Sequence, residues 1–128
     1  SSSLLNENQL GWDWFSLHLD NGEKVMLFKV RNKNGDDFLS GSWVSKDGAK
    51  KSLSSSDFQL EETAYSTIKG KRVPTKWKIS ILGSDPLTIK TKAVNVNSWM
   101  ATSFPYWEGP ILFSGDLSGV GYLEMTGY

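Results

Sequence analysis

Cysteine is absent from the 128 residues, so the chain has neither a disulfide framework nor a thiolate metal site. Histidine occurs once, at position 18, which removes His–His metal pairs and most zinc sites with them. No Gly-x-Ser-x-Gly turn is present to display a nucleophilic serine. No apolar run approaches the roughly 20 residues that a helix needs to cross a bilayer. Charge of either sign is not in excess: Lys plus Arg and Asp plus Glu both count 14, and no basic block interrupts the balance. That argues against nucleic acid or an anionic membrane as the main partner. There is no signal peptide, and the opening Ser1-Ser2-Ser3 reads as a mature form or an excised piece.

Twelve glycines and many Thr, Val, Ile and Trp residues favour short strands joined by turns. The length is that of one domain, which buries roughly two-thirds of its unfolded surface. The strongest pattern is Gly11 to Leu19 followed, after Asn21-Gly22, by Val25 to Arg31. Asn-Gly between apolar runs signals a two-residue type I′ hairpin. In that register Phe15 faces Phe28, Leu17 faces Met26 and Asp13 faces Val30 on the core side. Trp14 faces Lys29, Trp12 faces Arg31 and His18 faces Val25 on the other side.

Ser1 to Leu10 reads as a polar lead-in loop and Phe38 to Ser45 as a third strand, with a weaker hairpin signal at Asp47-Gly48. Phe58 and Leu60 alternate with polar residues as a short strand would, although a helix capped by Ser56 fits as well. Tyr65 to Pro74, with Gly70 and no periodicity, reads as a loop. Trp77, Ile79 and Ile81 alternate with Lys76, Lys78 and Ser80, and Leu87, Ile89 and Thr91 alternate with Thr88, Lys90 and Lys92. Such pairs belong to an antiparallel sheet with one wet face. Asn95 to Phe104 is irregular, and Tyr106 to Ser114 pairs with Val120 to Tyr128. The pattern is that of an antiparallel sandwich or barrel.

Gly11-Trp12-Asp13-Trp14-Phe15-Ser16-Leu17 with Met26-Leu27-Phe28, and Tyr106-Trp107-Glu108-Gly109 followed by Gly121 to Tyr128, together resemble one bacterial family. It is the AttH-like group related to carotenoid 1,2-hydratases, also described as secreted hydrolases. The resemblance covers nearly the whole chain. It implies an all-β, antiparallel lipocalin-like (calycin-type) β-barrel, residues 1–128 being the C-terminal half of a two-barrel protein. It also implies a periplasmic, secreted or lipoprotein location, and a missing N-terminal barrel as partner. Family members carry a His-Glu-Trp element just upstream of the position of Ser1. Tyr65 stands where the family usually has Trp, and Val73-Pro74 where it has Tyr-Pro.

A Ser-His-Asp triad would have to pass through His18, which lies on the face opposite Asp13, so the hydrolase description has no support in the residues. Asp13 is the candidate catalytic acid: a carboxylate in line with Phe15, Leu17 and Leu19 must be partnered, wet or protonated. Its alternative is an anchor for an Arg or for backbone amides. Glu108 and Glu124 are further acid candidates, or equally the acceptors that Trp and Tyr hydrogens require. Trp77, Trp99 and Trp107, with Tyr106 and Tyr122, are candidate walls of an apolar ligand cavity, or core. Trp12 and Trp14 read as outer-face cation–π partners of Arg31 and Lys29, or as a surface for a neighbouring domain. No metal and no cofactor is implied. The functional expectation is a module binding a hydrophobic small molecule in or between barrels. The alternative is a cofactor-independent hydratase or isomerase acting on an apolar, terpenoid-type alkene.

Overall fold

A computed structural model describes residues 5–101 and 105–128; Ser1 to Leu4 and Thr102 to Phe104, within two of the segments read above as loops, lie outside the described residues. The strands are β1 (Gln9–Leu19), β2 (Lys24–Asn32), β3 (Phe38–Val44), β4 (Lys50–Leu53), β5 (Phe58–Ile68), β6 (Lys71–Ile81), β7 (Leu87–Ala93), β8 (Trp99–Met100), β9 (Tyr106–Gly115) and β10 (Gly119–Thr126). They form one antiparallel sheet in the order β4-β3-β2-β1-β10-β9-β7-β6-β5, with β8 beside β9. First and last strands are therefore neighbours at its centre. Among the described residues there is no helix long and apolar enough to cross a membrane.

Alternation along each strand decides which face goes inside. In β1 the odd residues Asp13, Phe15, Leu17 and Leu19 are buried. In β6 and β7, Trp77, Ile79, Ile89 and Thr91 are buried while Lys76, Lys90 and Lys92 are exposed. The sheet curls into a half-barrel, so that distant strands meet across the inside: the Phe15 and Trp77 rings lie 5.2 Å apart, edge to face at 84°. Trp77 donates to the Pro74 carbonyl (3.3 Å) and Trp107 to the Val96 carbonyl (2.9 Å), which satisfies both buried indoles. β4 and β5 are the two open edges.

Two expectations change, and one open alternative is decided. The β1–β2 loop holds three residues, not two: Leu19 N–H donates to the Glu23 carbonyl and Gly22 N–H to the Leu19 carbonyl, each at 2.9 Å. Gly22 takes φ +92° while Asn21 stays at negative φ, the arrangement of a type I turn with a glycine bulge. Asn21 Oδ1 is occupied in accepting the Glu23 N–H at 2.9 Å. The extra loop residue slips the register by one, so Trp14 faces Phe28, Phe15 faces Leu27 and Asp13 faces Lys29. The slip leaves β1 as expected and turns every β2 side chain over. Val25 and Leu27 are buried, and Met26 is exposed.

The two-residue turn with positive φ at both positions lies instead at Lys69 (φ +50°) and Gly70 (φ +78°). It joins β5 to β6, so the Tyr65 to Pro74 segment is a hairpin and not a loop. β5 alternates without a break as far as Ile68, but its inward positions Glu62, Ala64 and Ser66 are no more apolar than their outward neighbours, so the sequence carries no hydrophobic period there. The helix capped by Ser56 is also absent, because Phe58 and Leu60 are both needed inside, at a period of two.

The corrected register makes a sharp prediction. Leu27→Ala is expected to cost about 2–5 kcal/mol in chemical denaturation, and Phe28→Ser no more than about 1 kcal/mol. The reverse order would restore the two-residue turn.

Candidate functional site

The slipped register puts Arg31 on the same inner face as Asp13, opposite Gly11. Gly11 leaves the room: a side chain there would meet Arg31 Nη2 at 2.6 Å and collide with the Thr126 carbonyl. Arg31 Nε donates to Asp13 Oδ2 at 3.0 Å, and Nη2 donates to the Thr126 carbonyl and, at 3.4 Å, to that of Trp12. The Arg31 side chain is 12% exposed and that of Asp13 0%. The Arg31–Trp12 and Lys29–Trp14 stacking expected on the outer face does not form. Lys29 instead pairs with Asp37 at 3.7 Å, and Arg31 lies 4.0 Å over the ring of Tyr128.

Tyr128 donates to the second carboxylate oxygen, Asp13 Oδ1, at 2.8 Å. By alternation it would share the outer face of Glu124. Gly127, at φ +90°, follows the end of β10, and beyond it Tyr128 reaches Asp13 on the inner side. Burial pushes the Asp13 carboxyl from 3.8 up to about 6, against the pull of Arg31, the Tyr128 hydroxyl and Lys29. Burial beside the Asp13 carboxylate also drives the Tyr128 hydroxyl well above the ordinary phenol range.

A second group stands nearby on β5. Glu62 faces Trp77 in the ladder, and Trp77 packs on Phe15, two residues along from Asp13. Tyr65 donates to Glu62 Oε2 at 3.3 Å, and Arg72 lies 3.9 Å over the Tyr65 ring. Glu62 adds to the upward push on Tyr128, and Asp13 to that on Tyr65. The rim of the half-barrel thus collects Asp13, Arg31, Tyr128, Glu62 and Tyr65, of which the sequence reading had singled out Asp13 alone. The signal for Arg31 was its odd number: with a three-residue loop it falls on the face of Asp13. Gly127 was the signal for Tyr128.

The other candidates lie elsewhere. Glu108 and Glu124 are brought together, directly opposite one another on β9 and β10, but on the outer face. Trp12 Nε1 donates to Glu124 Oε2 at 3.0 Å; Glu108 pushes up the hydroxyl of Tyr106, and burial together with Glu108 pushes up that of Tyr122. A surface hollow of about 450 Å³ there is lined by Trp12, Trp14, Phe28 and Glu124. Trp77 and Trp107 are 0% exposed, so no water-sized space adjoins either ring; in this chain they are core. Trp99 is half-buried opposite Trp107, with the Lys71 ammonium 5.8 Å from its ring. His18 is exposed on the outer face. Among the described residues no cluster of three or more His, Cys, Asp or Glu side chains could hold a metal ion.

A profile of the family described as AttH-like matches residues 1–128. No match was found among curated protein sequences. An AttH protein of Nitrosomonas europaea is similar in structure, with TM-score 0.85, 22% identity, and coverage of 97% of this chain and 40% of that one. Kievitone hydratase from Nectria haematococca is similar at TM-score 0.71 and 18% identity, covering 92% of this chain and 39% of that one. At these identities the likeness is one of fold. The chain spans about 40% of the length of either. It belongs to the AttH-like family and has the lipocalin-like fold.

Proposed function

We propose that this domain supplies the acid of a hydratase- or isomerase-type site for an apolar alkene, held jointly with a second barrel outside these residues. The observation that carries the reading is Asp13, a fully buried carboxyl raised to about 6 and bonded to a half-buried tyrosine. A carboxyl poised near neutrality is what proton delivery to a weakly basic carbon requires. Kievitone hydratase, the structural neighbour, is by its name a water-adding enzyme, and the family resemblance points the same way. The core of this half leaves no room beside Phe15, Trp77 or Trp107, so substrate belongs at the rim.

Asp13 itself is 0% exposed, so its proton leaves through its hydrogen-bonded partner, the half-buried Tyr128 hydroxyl. Because that hydroxyl is held far from ionising, it does not act as a free tyrosinate. When Asp13 is protonated the hydrogen bond reverses: the carboxyl donates to the Tyr128 oxygen, the phenol turns its own proton to an alkene carbon and takes that of Asp13 in the same step, and Arg31 stabilises the carboxylate left behind. Hydration then adds the oxygen of water at the other alkene carbon, and the proton that water releases replaces the one Asp13 gave. Isomerisation would recover it from a neighbouring carbon instead.

A second reading is favoured by the 3.0 Å ion pair with Arg31. On it the domain binds a hydrophobic molecule without chemistry, and Asp13 anchors Arg31. Asp13→Asn separates the two in the full-length protein, with oxygen-18 incorporation from labelled water into a panel of polyenes as the assay. The acid reading expects turnover to vanish with no loss of stability. The anchor reading expects a loss of about 1–3 kcal/mol of stability. Retained turnover in a folded Asp13→Asn protein would sink the acid.

The pH dependence has a definite sign. The folded pKa of Asp13 lies above its unfolded value of 3.8, so the folded state holds the extra proton between the two. That contribution is full below about pH 4 and is lost as pH rises through about 6, an effect of about 3 kcal/mol. Asp13→Asn should remove this part of the stability–pH curve. Tyr128→Phe deletes a hydrogen bond that lowers the pKa, so a carbon-13 titration of Asp13 should move to higher pH. A midpoint that stays or falls would show that Tyr128 is not its partner.

A further inference from the structure

The outer face of β6 and β7 carries a second feature, remote from Asp13. Lys76 lies directly opposite Lys92, and Lys78 directly opposite Lys90. Like charges in facing positions of a ladder destabilise the sheet. Glu61 on β5 stands opposite Lys78 and offsets that pair. Lys76 faces Ala64 on β5, and Lys92 faces Leu112 on β9. Among the described residues none of the four lysines has an ion-pair partner.

Beside the uncompensated pair is an open hollow of about 560 Å³, lined by Lys76, Lys90 and Lys92 together with Leu112 and Val120. These two aliphatic side chains are 41% and 56% exposed. Asp20 bounds the hollow, and its carboxylate is engaged by the Ser118 hydroxyl at 2.8 Å. The hollow thus joins an unmatched cationic pair to an uncovered apolar strip.

We infer that this hollow binds a single-chain anionic amphiphile, with its carboxylate, sulfate or phosphate group between Lys76 and Lys92. The alkyl tail lies along Leu112 and Val120. The head relieves the repulsion that the register imposes, and the tail covers aliphatic surface otherwise left in water. An extended polyanion does not suit the site, because Asp20 and Glu61 border the patch.

The test is calorimetric titration of the full-length protein with dodecyl phosphate below its micellisation concentration. Saturable binding is expected, weaker by about tenfold or more in Lys76→Gln/Lys92→Gln. Lys24→Gln/Lys46→Gln, which removes the same charge elsewhere, should bind like wild type. Inorganic phosphate should bind about tenfold more weakly than dodecyl phosphate, since it lacks the tail. Without ligand, the Lys76→Gln/Lys92→Gln protein should melt no lower than wild type, because a repulsion has been removed. Equal binding by the two double variants would overturn the site. So would inorganic phosphate matching dodecyl phosphate, or binding only to anionic vesicles.

Discussion

The ion pair between Asp13 and Arg31 is the interaction on which the rim of this half-barrel depends. Burying a carboxylate costs several kcal/mol even after relaxation, and Asp13 is buried completely. The cost is partly offset by arrangements on three strands. β1 supplies a glycine at position 11, whose missing side chain admits the guanidinium. β2 supplies Arg31, aimed inward by the odd length of the loop before it. Beyond β10, Gly127 leads to Tyr128 and the second oxygen of the carboxylate. Without Arg31 the charge would stand unpaired, and without Gly127 one oxygen would lose its donor. Raised as it is, the carboxyl stays within reach of neutral pH, which an exposed aspartate would not.

That constraint explains the division of labour within the domain. The middle of the curled sheet is packed solid around Phe15, Trp77 and Trp107, whose indoles are satisfied by backbone carbonyls. Such packing provides rigidity but no space, in keeping with interiors as dense as organic crystals. Polar groups gather instead at the end, where Asp13, Tyr128, Glu62 and Tyr65 mix polar and aromatic side chains. On the function proposed above, the lipocalin-like architecture is a frame for a rim site rather than a container.

The outer surface follows a different logic. Among the described residues, directly opposed like charges with no oppositely charged neighbour in the ladder occur on it twice, as Glu108 with Glu124 and as Lys76 with Lys92, whereas Lys78 with Lys90 has Glu61 beside it. The first pair is surrounded by hydrogen-bond donors from Trp12 and the neighbouring tyrosines, so its charge is largely accommodated within the sheet. The second has no such relief among the described residues. The contrast distinguishes a structural cluster from a surface that calls for a ligand.

The strands carrying the lysines, the placing of Asp13 inside and the all-β class were legible in the sequence, because alternation at a period of two is a local property of each strand. Asp13 could be assigned from β1 alone, and it kept its place when the register assumed for β2 proved wrong. What faces what was not legible. A hairpin of Asn and Gly accommodates two loop residues or three, and the choice, made by where Leu19 and Glu23 bond, turned over β2 and brought Arg31 to Asp13. The β5–β6 hairpin was not legible because the inward positions of β5, Glu62, Ala64 and Ser66, are no more apolar than the outward ones, so its alternation leaves no hydrophobic signature. The closeness of Glu62 to the Asp13 group depends on the curl of the sheet, and the opposition of the lysines on its register. These are relations between segments far apart in sequence, set by hydrogen bonding across strands, and they exist only once the chain has folded.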